Sequence, residues 1–312
     1  MDLLTSGNII FVGMPTLLLF LLAGMLFGCD GLGIEFSNIA QAQFVGMVAL
    51  CVILFTGGVE TRIAEIRPVL GPGLTLSTVG VLLTTAFTGA FIYGLSYWGA
   101  LSFELPIVVC FLLAATMSST DSASVFNILR GKNINLKNNL QPMLELESGS
   151  NDPMAYILTI VLIQLALTLC GEVGADVSAR VLIQDSLKVL VQQFASGAMI
   201  GAGAGFAASW FMNRINISNI PLYSIMLLSI VFFTFSVADM LGGNAYLAVY
   251  ITGIIVGNRK IKNRRQVVAF FDGMTWIMQI GMFLLLGLLV DPSEMWKTAL
   301  VALLEGVFMM FV

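Results

Sequence analysis

Apolar runs of roughly 18 or more residues recur along the whole of this 312-residue chain. Runs of that length match the hydrocarbon core of a bilayer. Within that core only structures that satisfy every backbone N–H and C=O internally persist. The repetition therefore dictates an all-α fold, a polytopic bundle of transmembrane helices. Composition agrees, with 58% hydrophobic and 10% charged residues, where soluble domains carry about 25% charged. Ten spans are expected, at 9–28, 42–59, 70–95, 105–129, 141–170, 186–212, 220–240, 244–258, 267–290 and 297–312. The connections then alternate sides. One side holds Arg62, Arg67, Arg130, Lys132, Lys137, Arg214, Arg259, Lys260, Lys262, Arg264 and Arg265, which is 11 of the 14 Lys and Arg residues. The other holds Arg180, Lys188 and Lys297. The richer side is read as cytoplasmic. Both the start of the first span and the end of the tenth are then expected in the cytoplasm.

Several function classes drop out. The chain has no histidine, which removes Ser/His hydrolase chemistry and His-ligated metal, and leaves carboxylates as the proton carriers. The four cysteines, Cys29, Cys51, Cys110 and Cys170, show no CxxC spacing and read as inert buried thiols. No GxxxxGK[ST] loop exists for a nucleotide, and no basic stripe with interleaved aromatics for nucleic acid. No cofactor is expected. The first cationic side chain is Arg62, so the first apolar run lacks the basic leader of a cleaved signal peptide, and Leu26-Phe27-Gly28-Cys29 reads as a chance cleavage box.

Glycines suggest an internal repeat. Gly24 and Gly28 form GxxxG in span 1, and Gly253 and Gly257 form it in span 8. Gly58 follows the first pair, and Gly287 the second, at the same spacing, so the two sets differ by a constant 229 residues. GxxxG alone is a common helix-packing motif. Seven spans separate the copies, and an odd number inverts the orientation, as in many secondary transporters. The same offset moves the unusual segment near Thr120 beyond Val312, so a second such segment is expected outside this sequence.

Span 4 carries Thr116-Met117-Ser118-Ser119-Thr120-Asp121-Ser122 in mid-membrane. A charge there is costly, about 2.5–3.5 kcal/mol on insertion scales. Small polar residues that cap helices fit a helix interrupted at an ion site, and equally a polar helix contact capped by Asp121. Span 5 carries Glu145, Glu147, Ser148, Gly149, Asn151, Asp152 and Pro153. Ser148 and Asp152 share a helix face, as do Glu147 and Asn151. Pro153 has no amide hydrogen, so the Gly149 carbonyl lacks its usual partner. A carbonyl, a hydroxyl, an amide and a carboxylate suit a hard monovalent cation. Glu145 and Glu147 also fit a plain interfacial location. Glu60, which closes span 2, either reaches the same site or pairs with Arg62.

A bare carboxylate in a low-dielectric site calls for neutralisation. A proton or a metal cation can supply it at Asp152. If the two compete, and only the neutralised site moves between faces, exchange is obligatory. One carboxylate in the Asn151-Asp152 pair suggests electroneutral exchange. A channel would need a continuous polar pore, yet the polar residues concentrate in spans 4 and 5.

Ser119-Thr120-Asp121 followed by Ala123, and then Glu147-Ser148-Gly149-Ser150-Asn151-Asp152-Pro153, resemble the cation:proton antiporter superfamily. More closely they resemble its NhaP-like potassium/proton or sodium/proton branch, once called cell-volume-regulation proteins. Phe271-Asp272-Gly273 and Gln279-Ile280-Gly281-Met282-Phe283 are also similar to that branch. The resemblance implies exchange of K⁺ or Na⁺ for H⁺ across the plasma membrane, with roles in pH and volume homeostasis, by a homodimer embedded in the lipid bilayer. It implies that Thr120 and Asp121 mark a crossed, unwound helix. Ser148 and Asp152 become cation ligands, Asn151 a support and Glu147 a second acid, while the role of Glu60, an accessory candidate from its position alone, stays open. Residues 1–69 become dimerisation-side helices and 70–170 the ion-translocating core of the first repeat. Residues 171–215 become a linker helix and 216–312 an incomplete second repeat. A basic residue often follows the Gly-Gly pair in that branch, where this chain has Val59-Glu60. The family pattern places one helix before Met1 and two after Val312, so this stretch alone is expected to be a non-transporting portion of a longer carrier.

Overall fold

The computed structural model describes residues 16–98, 104–120, 136, 139–170 and 179–312. All regular structure among them is helical. We number the helices α1 (Thr16–Phe27), α2 (Ile39–Glu60), α3 (Ile63–Tyr97), α4 (Ile107–Met117), α5 (Leu140–Cys170), α6 (Ala179–Arg214), α7 (Pro221–Met240), α8 (Ala245–Gly257), α9 (Arg264–Leu289) and α10 (Pro292–Met309). Each expected span overlaps one of these helices among the described residues. Helices α2, α3, α5, α6, α7 and α9 are long and apolar enough to cross a membrane; α1, α4, α8 and α10 carry shorter apolar stretches.

Local chemistry explains the boundaries. Asn38 and Asn244 cap α2 and α8, each accepting a hydrogen bond from the backbone N–H three residues on. Helix α3 starts earlier than the apolar run suggests and passes through a 3-10 turn at Arg67–Val69 and a π turn at Leu76–Gly80. Around the π turn the hydroxyls of Thr75, Ser77 and Thr78 bond back to carbonyls three or four residues earlier. Such back-bonding loosens a helix without exposing its polar groups to lipid. Gly73 lets α3 sit hard against α5, since a Cβ there would lie 2.7 Å from a Leu146 methyl.

The repeated glycines form two backbone-on-backbone seams. Gly24 of α1 meets Gly287 of α9, and Gly58 of α2 meets Gly253 of α8. A Cβ on Gly287 would stand 2.9 Å from the Gly24 Cα, and one on Gly253 would stand 3.1 Å from the Gly58 Cα. The two seams are copies. A Cβ on Gly287 would fall on the Leu21 carbonyl oxygen and beside the Met25 nitrogen. A Cβ on Gly58 would fall on the Tyr250 oxygen and beside the Ile254 nitrogen, and Leu21 and Met25 lie 229 residues before Tyr250 and Ile254. In each seam one helix of the first unit packs on one helix of the second, and exchanging the units turns one seam into the other. Two-fold symmetry between inverted units has that signature.

The corners repeat as well. The Ser293 N–H, at the start of α10, donates to the Asp30 carboxylate at 2.8 Å just beyond α1. The Ile63 N–H, at the start of α3, donates to the Asn258 side-chain oxygen at 2.9 Å just beyond α8. Each bond satisfies an N–H that a helix start leaves without an internal partner. The largest apolar cluster among the described residues joins α2, α6, α7, α8 and α9 and includes Phe55 and Phe271, whose ring centroids are 4.8 Å apart.

Candidate ion site

Helix α4 has 11 residues, a rise of about 16 Å, roughly half of a bilayer core. It ends at Met117, and Ser118, Ser119 and Thr120 follow without helical structure. The chain is thus interrupted where span 4 turns polar. Asp121 and the rest of that span lie outside the described residues.

The freed segment lies across one face of α5. The Ser119 hydroxyl donates to the Asp152 carboxylate. The Asn151 amide donates to the Thr120 hydroxyl at 2.7 Å and to the Glu147 carboxylate at 3.1 Å. The Thr120 hydroxyl in turn donates to Glu147 at 3.3 Å. The Thr120 carbonyl oxygen lies 3.4 Å from both the Ser148 hydroxyl and the Asn151 amide nitrogen. Asn151 is fully buried. It serves as the bracket that ties the interrupted segment to the α5 backbone turn. The four-residue spacings Glu147–Asn151 and Ser148–Asp152 bring these groups together on adjacent stripes of α5.

Asp152 and Ser148 face a cavity of about 550 Å³, which also collects Glu60, Glu145 and Asp272. Four carboxylates from α2, α5 and α9 thus line one cavity, and among the described residues no Lys or Arg lines it. Such a wall concentrates cations. Glu60 lines this cavity, and Arg62 pairs with Glu65 at 3.0 Å. Glu145, at the far end of the same α5 face, lines the cavity too.

Five contributors were not assigned from sequence. Asp272 and Gln279 of α9 line the cavity, and a hydrogen bond of 2.9 Å from Thr275 to Thr56 joins α9 to α2 beside it. Tyr250 of α8 covers Gly149, where a Cβ would fall on its ring. The Asn244 amide donates to the Pro153 carbonyl at 3.0 Å, one residue beyond Asp152. Only the Asn244 position carried a local signal, an Asn just ahead of an apolar run.

Inverted helical units, a helix that ends in mid-span and an acidic cavity around a mid-span carboxylate define the class: an inverted-repeat membrane protein with a candidate ion site. Comparison with known proteins agrees. The chain belongs to the transmembrane sodium/hydrogen exchanger family, whose model matches residues 3–312. It is 39% identical over 288 residues to the K⁺/H⁺ antiporter NhaP2 of Shewanella oneidensis, covering 91% of this chain and 46% of that protein. It is 36% identical over 305 residues to the K⁺/H⁺ antiporter NhaP of Alkalimonas amylolytica, covering 96% and 50%. The chain spans about half the length of these curated relatives. The sodium proton antiporter MjNhaP1 of Methanocaldococcus jannaschii superposes with a TM-score of 0.77 at 21% identity, over 96% of this chain and 72% of that one. That likeness supports the fold.

Proposed function

We propose that this chain supplies the first translocation unit of a monovalent cation/proton antiporter, with cation and proton competing for Asp152. One observation carries the reading. The Asp152 carboxylate, held by Ser119 from an interrupted helix, opens on the acidic cavity. In this reading Ser148 and the Thr120 carbonyl join Asp152 around the cation, and Asp121 is a further cation- and proton-binding group. Asn151 and Glu147 hold the crossing. Glu60 and Asp272 draw cations to the mouth. The Asn151 side chain carries no charge of its own, so one proton leaves for one cation, and exchange is electroneutral. The working unit is a homodimer in the plasma membrane, with residues 1–69 on the subunit-contact side and 70–170 in the moving core. Relatives at 36–39% identity are named for K⁺, which makes K⁺ the first ion to test and Na⁺ the comparison.

The experiment uses the full-length gene product in proteoliposomes loaded with a pH-sensitive dye. An acidic interior is imposed and K⁺ or Na⁺ is added outside. Wild type dequenches on cation addition, and Asp152→Asn falls to the protein-free background. Retained exchange in Asp152→Asn would move the site elsewhere. Net charge movement per cycle would overturn electroneutrality.

A further inference from the structure

A second pocket, of about 410 Å³, opens where the end of α6 meets the turn between α8 and α9. Ser209, Trp210, Asn213, Arg214, Arg259 and Lys260 line it. Its wall holds three cations and no acid. Among the described residues none of the three has a carboxylate partner within ion-pair distance. The pocket is built rather than accidental. The Asn213 amide donates to the Lys260 carbonyl at 2.7 Å, and the Lys262 ammonium donates to the Ile215 carbonyl at 3.0 Å. These bonds lock the turn onto the end of α6. The Arg259 guanidinium lies 4.6 Å from the centroid of the Phe206 ring, which fixes its direction.

We propose that this pocket binds the headgroup of an anionic phospholipid. Three converged cations without counter-charges call for an anion, and arginine suits a phosphate in particular. The surroundings choose the source. Trp210 is 65% exposed, and Phe206 (50%) and Met199 (69%) lie nearer the middle of the same helix. An amphipathic tryptophan beside cations, with an apolar stripe running away toward mid-membrane, matches the headgroup boundary. Basic pockets between transmembrane helices on the Lys/Arg-rich side take lipid headgroups. A free phosphate uses the cations alone, whereas a phospholipid also covers Trp210 and the stripe.

The test uses the purified full-length protein in neutral detergent, with native mass spectrometry and thermal melting as readouts. The probes are phosphatidylglycerol, phosphatidylcholine and millimolar inorganic phosphate. Phosphatidylglycerol should stay bound and raise the melting temperature, while phosphatidylcholine and phosphate do neither. Arg259→Gln with Lys260→Gln should weaken phosphatidylglycerol binding about tenfold or more. Arg214→Lys with Lys260→Arg, which conserves charge, should retain it. If the double neutralisation misfolds, Lys260→Gln alone, at an exposed side chain, replaces it and should weaken binding severalfold. Undiminished phosphatidylglycerol binding in the neutralised variant overturns the site. Equal binding of phosphatidylcholine overturns the charge selectivity. Full competition by inorganic phosphate makes it a soluble-anion site instead.

Discussion

Asn244 uses each end of its side chain for a different bond. Its oxygen caps α8 by accepting from the Leu247 N–H at 2.8 Å, and its amide holds the Pro153 carbonyl at 3.0 Å. Serine keeps the cap but is too short to reach Pro153; alanine loses both. The Pro153 carbonyl lies inside α5 and keeps its helical partner, so Asn244→Ser should cost about 0.5–1.5 kcal/mol for the one bond lost. Asn244→Ala should cost about 1 kcal/mol more. Melting in detergent should rank wild type above Ser above Ala, and a Ser variant equal to wild type would remove the tether from the account. Gly149→Ala forces a Cβ into the Tyr250 ring, an overpacking of about 1–3 kcal/mol. Shrinking Tyr250 to Leu in the same protein should recover part of the loss, and no recovery would mean that the ring is not what the methyl meets. Much of the site was legible at this scale because Glu147, Ser148, Asn151 and Asp152 lie within six residues on one helix. Helical geometry alone groups them. Tyr250, Asn244 and Asp272 come from roughly 90 or more residues away, and no periodicity in one element reports which other element it will face.

Elements show the same division between local and distant. The apolar helices were legible from hydropathy, and the end of α4 at Met117 from the polar run that follows it. The start of α3 at Ile63 was not, because Pro68 and Pro72 look like a boundary yet fall in turns where a missing N–H costs little. The glycine repeat was visible as spacing, but its use as paired seams needed the tertiary structure. Alanine at Gly58 or at its symmetry mate Gly287 should lower stability by similar amounts, about 1–3 kcal/mol each. Gly46 and Gly281, which face open space, should accept alanine with no loss. Unequal costs at Gly58 and Gly287 would contradict the two-fold relation. The corner bond adds a pH dependence. The Ser293 N–H holds the Asp30 carboxyl below its ordinary range. A depressed carboxylate stabilises above the unfolded-state pKa, and that contribution is lost as pH falls through the folded value. The melting-temperature gap between wild type and Asp30→Asn should be open at neutral pH and close as pH drops below about 4. A gap that persists in acid would assign the effect to shape rather than charge.

The whole molecule divides into parts held in different ways. The seams join α1 to α9 and α2 to α8 with no side chain between the backbones. A slip of one turn would set Leu54 or Arg62 in the place of Gly58, and Phe283 or Asp291 in the place of Gly287. Such joints have no side-chain rotamers to rearrange and no intermediate stops. In the proposed antiporter they are expected to stand still. Helix α5 meets this frame differently, through side chains: the Tyr250 ring on Gly149, the Tyr156 and Tyr246 rings edge to face at 4.9 Å, and the Asn244–Pro153 bond. A ring can slide and a single bond can be remade. Any stroke that carries Asp152 from one side of the membrane toward the other should therefore run along α5, with the glycine-jointed helices standing still.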